Sequence, residues 1–92
     1  MPQDKMQEIL AQRGHSYGDF TAHAQLAQQL KIHVDAIDRS SAKKMNMVQQ
    51  EAMDMILHKV ARIANGDPDH EDSWRDIAGY ATLAADRVNP SS

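Results

Sequence analysis

Apolar residues along this chain return at intervals of three and four, the spacing that lines one face of a helix. Phe20, Ala24, Ala27, Leu30, Val34 and Ile37 make one such stripe. Met45, Ala52, Ile56, Val60 and Ile63 make a second, and Ile77, Tyr80, Ala81, Ala84 and Val88 a third. A narrower stripe of Met6, Ile9 and Leu10 precedes them. Runs of β-branched residues that would mark strands are absent, while alanine, methionine and glutamine, all strong helix formers, are plentiful. The pattern predicts helices over about 2–13, 19–38, 42–65 and 73–88.

Punctuation between the stripes refines these bounds. Pro2 suits a first helical position and Gly14 the residue just past a helix end. The segment from Gly14 to Gly18 then reads as a tight turn. Asp19 is expected to cap the second helix, and Ser40 or Ser41 the third, which Gly66 ends. Asp67-Pro68-Asp69-His70-Glu71 reads as an acidic loop, and Asn89-Pro90 as the end of the last helix. That helix has two candidate caps, Asp72 itself or a box formed by Ser73 and Asp76. The expected fold is a single all-α domain over 1–92, a compact bundle of about four helices joined by short connections. One of them is short and N-terminal, and three are longer.

Size and composition narrow the setting. A chain of 92 residues buries a small share of its surface, and scaffolds of this size usually gain stability from disulfides, a metal or a partner subunit. There is no cysteine, which leaves a metal or self-association, and we expect the bundle to be completed as a homo-oligomer. A net charge of −3 with signs interspersed gives no basic stripe for nucleic acid; the Lys43–Lys44 pair is expected on a solvated helix face. No apolar run approaches membrane-spanning length and the N-terminus is not a signal peptide, so the expected setting is the cytoplasm.

Candidate chemistry concentrates on the third and fourth helices. Glu51, Asp54, His58 and Arg62 cluster away from the third helix's core direction, a pattern that a solvated, ion-paired face explains equally well. Lys59 falls inside the apolar arc. It either snorkels or meets an acidic or phosphate group in a cleft. Asp72, Asp76 and Tyr80 stack at four-residue intervals on the edge of the last helix's apolar face. Should Glu51 and Asp54 face Asp72 and Asp76, the four carboxylates would repel unless a cation joined them. Mg²⁺ is the natural one, since it takes oxygen ligands and keeps room for phosphates that Lys59 and Arg62 would hold. Other signals are weaker. The five histidines show no zinc spacing, and His23 and His33 are expected at the surface or its boundary. Asp67-x-Asp69-x-Glu71 lacks the glycine and glutamate of a calcium loop. Tyr17, Trp74 and Tyr80 are candidates for base stacking or for the core.

Several strings carry a resemblance. Arg13-Gly-His-Ser-Tyr17-Gly18-Asp19-Phe20, Glu51-Ala-Met-Asp54, Lys59-Val-Ala-Arg62-Ile and Asp72-Ser-Trp74-Arg-Asp76-Ile-Ala-Gly79-Tyr80-Ala resemble a family of small phage and prophage proteins of unknown function. That family is similar in pattern to the MazG-like all-α nucleoside triphosphate pyrophosphohydrolases and to related nucleotide-modification-associated domains. The similarity runs over roughly residues 13–88. It implies a helical bundle assembled as a dimer or tetramer, with Mg²⁺, or Mn²⁺ in its place, held by acids of two adjacent helices. Water attacks the nucleotide's phosphate chain in such enzymes, releasing monophosphate and pyrophosphate. Carried over, Glu51, Asp54, Asp72 and Asp76 stand as metal ligands, with Glu51 and Asp76 also catalytic. Lys59, Arg62 and Tyr80 stand as substrate-binding residues. Two positions depart from the pattern: Gln50 where a glutamate usually precedes the first pair, and the shorter Asp72 for the second pair's glutamate.

Two functions follow as expectations. The first is a Mg²⁺-dependent, MazG-like protein of phage type that hydrolyses or binds nucleotide phosphates. The second is a non-catalytic phage accessory protein, in the host cytoplasm, that binds a nucleotide or a host protein through a helical surface. Met45, Met47, Met53 and Met55 would suit such an adaptable contact, or equally the core or a self-association face.

Overall fold

The computed structural model of the chain describes residues 2–37 and 43–88. It is a four-helix bundle: α1 (Pro2–Tyr17), α2 (Phe20–Asp35), α3 (Met47–Asn65) and α4 (Glu71–Ala85). No strand forms among the described residues, as the helical spacing predicts. The central element is α3, which packs most extensively against α4, then α2, and only lightly against α1.

Small residues set the spacing of the bundle. Ala27 on α2 and Ala52 and Ala61 on α3 are buried, as is Ser73 on α4, and among the described residues no large side chain is fully buried. Close approach through alanines leaves much apolar surface uncovered. The α1 stripe of Met6, Ile9 and Leu10 is exposed along its length, and so are Phe20, Ile32, Ile37, Met47 and Val48. No described helix is long and apolar enough to cross a membrane.

Helix ends depart from the predicted bounds for local reasons. α1 does not stop at Gly14 but continues to Tyr17. Glycine weakens a helix interior by only about 1 kcal/mol, and Tyr17 makes tertiary contacts that hold the extra turn. The reversal comes instead at Gly18, whose φ of +81° is the only positive value among the described residues. Asp19 caps α2 as expected, its carboxylate accepting from the Ala22 amide at 3.0 Å.

The start of α3 falls later than predicted. Asn46 and Gln49 form a reciprocal capping box, with contacts of 2.8 and 3.0 Å, and Lys43 and Lys44 are exposed in the non-helical segment before it rather than on a helix. Ser40 and Ser41, the expected caps, lie outside the described residues. α4 begins at Glu71 with His70 in the capping position and no side-chain cap. Ser73 sits instead in the first turn facing the core, 3% exposed, so the predicted box with Asp76 does not form.

One junction ties the two interhelix connections at one end of the bundle together. The Asn65 side-chain amide donates to the carbonyl oxygens of Tyr17, at 3.1 Å, and Asp19, at 3.0 Å. The Asp67 amide donates to the Ser16 carbonyl at 2.7 Å. The α1–α2 turn and the α3–α4 loop are thus clasped together by the Asn65 side chain and by main-chain groups. Gly66 fits the clasp because a Cβ there would lie 2.3 Å from the Ser16 oxygen.

Candidate functional site

α3 and α4 bring Lys59 and Asp76 together. Lys59 is 8% exposed, and its ammonium lies 2.9 Å from an Asp76 carboxylate oxygen. A buried lysine needs such a partner, because an unpaired ammonium in a low-dielectric interior is costly. The Asp76 side chain remains 48% exposed, so the pair anchors one side of the carboxylate and leaves the rest open. Beside it, Gly79 and Tyr80 line a shallow depression of about 290 Å³ on α4.

The other acids are spread along the bundle. Glu51 is exposed on α3. Asp54 is half-buried and accepts a 3.0 Å hydrogen bond from the Gln50 side chain, which also donates to Asp35 on α2 at 3.5 Å. Gln50 thereby bridges two carboxylates that a glutamate in its place would repel. Asp72 is exposed at the start of α4, 3.9 Å from the His70 ring. Among the described residues, no three acidic or histidine side chains converge as a metal-ligand group.

Lys59 and Arg62 are one turn apart yet diverge. Lys59 turns to α4, whereas Arg62 turns to α1 and stacks over the Tyr17 ring, its guanidinium carbon 4.3 Å from the centroid. Tyr17 in turn places its hydroxyl 3.3 Å from His70 Nε2, with the two rings edge to face. Arg62 and Asp72 therefore stand at the two ends of a chain of contacts through Tyr17 and His70. Trp74 is exposed and donates its indole N–H to the Pro68 carbonyl at 2.8 Å, which orders the acidic loop.

A second locus has a different chemistry. Where α1, α2 and α3 converge, a cavity of about 480 Å³ opens beside Arg62 and the Tyr17–Gly18 turn. His23 and His58 meet in its wall, rings edge to face with centroids 4.6 Å apart. His23 is not a surface residue as predicted: it is 4% exposed, and neither ring nitrogen has a hydrogen-bond partner among the described residues. Burial lowers the pKa of both imidazoles, and the nearby Arg62 and Lys31 lower it further. His58 is pushed down to about 4, so both rings are neutral near pH 7.

Sequence spacing grouped Arg62 with Lys59 as phosphate-holding residues, not with this cavity, and missed the histidine pair. His23 shares its side of α2 with Ala27 and Leu30, the only hint of burial that the spacing offered.

The profile of a domain of unknown function, DUF6378, matches residues 3–88. The chain belongs to that family. Neither the curated proteins nor the solved structures contain a match to it.

Proposed function

We propose that this DUF6378 protein acts on the phosphate chain of a nucleotide, as a small helical pyrophosphohydrolase of the MazG-like kind. The observation that carries the reading is the Lys59–Asp76 pair. A buried ammonium fixes one oxygen of Asp76 while nearly half of that side chain stays open to a ligand. A carboxylate so oriented suits Mg²⁺, which commonly rests on one or two protein carboxylates and completes its shell with water and substrate phosphates. That economy matters here, because the described residues of one chain do not gather a larger ligand set. When bound, the ion would supply charge neutralisation on the phosphate oxygens.

The chain's own residues have separate parts in this reaction. Lys59 holds Asp76 in place, Tyr80 borders the depression beside it, and Glu51 offers an exposed carboxylate on the adjoining helix. Net hydrolysis adds one water across the bond between the α-phosphorus and its bridging oxygen. The products are the nucleoside monophosphate and pyrophosphate. The uncovered apolar stripe of α1 supports self-association as part of the same reading.

The test is pyrophosphate release from a panel of nucleoside triphosphates with Mg²⁺ or Mn²⁺. Turnover abolished by Glu51→Gln is the expected result, since that exposed substitution leaves the fold intact. Equal, negligible release by the wild type and Glu51→Gln would overturn the reading.

A further inference from the structure

We propose that the cavity between α1, α2 and α3 binds a small ring-bearing oxyanion, with Arg62 and Arg13 taking its charge, Phe20 covering its ring, and His23 turning to meet a polar group at depth. The site is separate from the Asp76 seam, and binding there does not depend on hydrolysis.

Four observations converge on it. The first is the orphaned imidazole. A neutral histidine has one N–H to donate and one lone pair to receive, and burying both unmet is unfavourable by about 1–3 kcal/mol per group. His23 borders the cavity, and both of its ring nitrogens are unmet and closed off from solvent behind the wall. Turning of the ring toward an entering ligand would let a ligand polar group relieve that deficit.

Charge is the second. Arg13 and Arg62 both line the space, and neither has a carboxylate partner among the described residues. The carboxylate on the wall, Asp19, is engaged with its own helix at the Ala22 amide. Contact with Tyr17 holds the Arg62 guanidinium at the cavity wall, where its N–H groups suit a bidentate oxyanion.

Aromatic placement is the third. Phe20 opens α2 with 77% of its surface exposed, on the rim of the cavity and 6.2 Å from the His23 ring centroid. Packing among the described residues does not require a phenylalanine there. A flat ligand ring lying against Phe20 would cover it.

Size is the fourth. About 480 Å³ lies in the range typical of small-molecule pockets, roughly 300–1,000 Å³. The shared chemistry is a ring carrying phosphate or carboxylate, which a pyrimidine nucleotide and a heteroaromatic acid both satisfy.

The test uses the full chain with isotope-labelled histidine and three probes: uridine monophosphate, orotate and inorganic phosphate. Saturable shifts of the His23 and His58 ring signals with uridine monophosphate would support a phosphate-bearing ligand. The same shifts with orotate would support a carboxylate-bearing one. Arg62→Gln should weaken the effective probe by about tenfold, the loss of one charge-assisted contact. Phe20→Ala, at an exposed position that cannot unfold the bundle, should weaken it severalfold. No saturable shift with either ring-bearing probe would overturn the assignment. So would binding unaffected by both substitutions, or inorganic phosphate binding as tightly as either ring-bearing probe.

Discussion

A Cβ on Gly18 would lie 2.1 Å from the main-chain oxygen of Asn65, closer than any non-bonded carbon and oxygen can sit. Gly18 also has a φ of +81°, where side chains are strained. Gly18→Ala should therefore open the clasp between the two connections. The expected loss is about 3 kcal/mol, combining backbone strain with overpacking. Gly14→Ala should have the opposite sign. Gly14 sits inside α1, and a methyl group added there would meet nothing within 4 Å, so alanine should stabilise by about 0.5–1 kcal/mol. Denaturant melts of the two variants check both signs.

That junction also marks what the sequence made legible. Asp19 as a cap, Gly66 as a helix stop and the four amphipathic stripes follow from rules local to a few residues. The position of Lys59 inside an apolar arc left snorkelling or an acidic or phosphate partner in a cleft as alternatives, and the structure pairs it with Asp76. The failures came where tertiary contacts overrode local preference. Tyr17 carries α1 through Gly14 by packing with Arg62 and His70. Core placement of Ser73 moved the start of α4. The His23–His58 pair joins residues on two helices, a relation that no spacing within either helix encodes.

The Lys59–Asp76 pair should respond asymmetrically to substitution. Asp76→Asn strands a buried ammonium, whereas Lys59→Met removes the charge and leaves a half-exposed carboxylate that water can serve. Asp76→Asn should thus be the more destabilising, by about 1–3 kcal/mol after allowance for solvent on the aspartate side. The double variant should recover most of that loss. Thermal unfolding of the three proteins measures the difference, and equal effects of the two single changes would contradict it.

His23→Leu should stabilise the ligand-free protein by about 1 kcal/mol, because it removes two unmet polar atoms from a buried position. A polar residue held where an apolar one is more stable marks a place where function outweighs stability. The measurement is a urea melt without ligand; a fall in the midpoint would show that the imidazole is satisfied in solution.

Acid should weaken the fold through its histidines. In the folded chain His58 titrates at about 4, because burial disfavours its charge and Arg62, His23, Lys31 and Lys59 stand nearby. His23 is lowered by burial, Arg62 and Lys31. In the unfolded chain both return to about 6.5. Between those values the unfolded state binds more protons, so stability rises with pH across the window and is fully present above it. Lowering the pH from 7 to 4 should therefore remove stability, about 1–2 kcal/mol from His58 after screening by solvent. His58→Gln should flatten this part of the profile, since glutamine takes no proton. Urea melts at half-unit steps of pH test it, and a wild-type profile as flat as that of His58→Gln would refute the assignment.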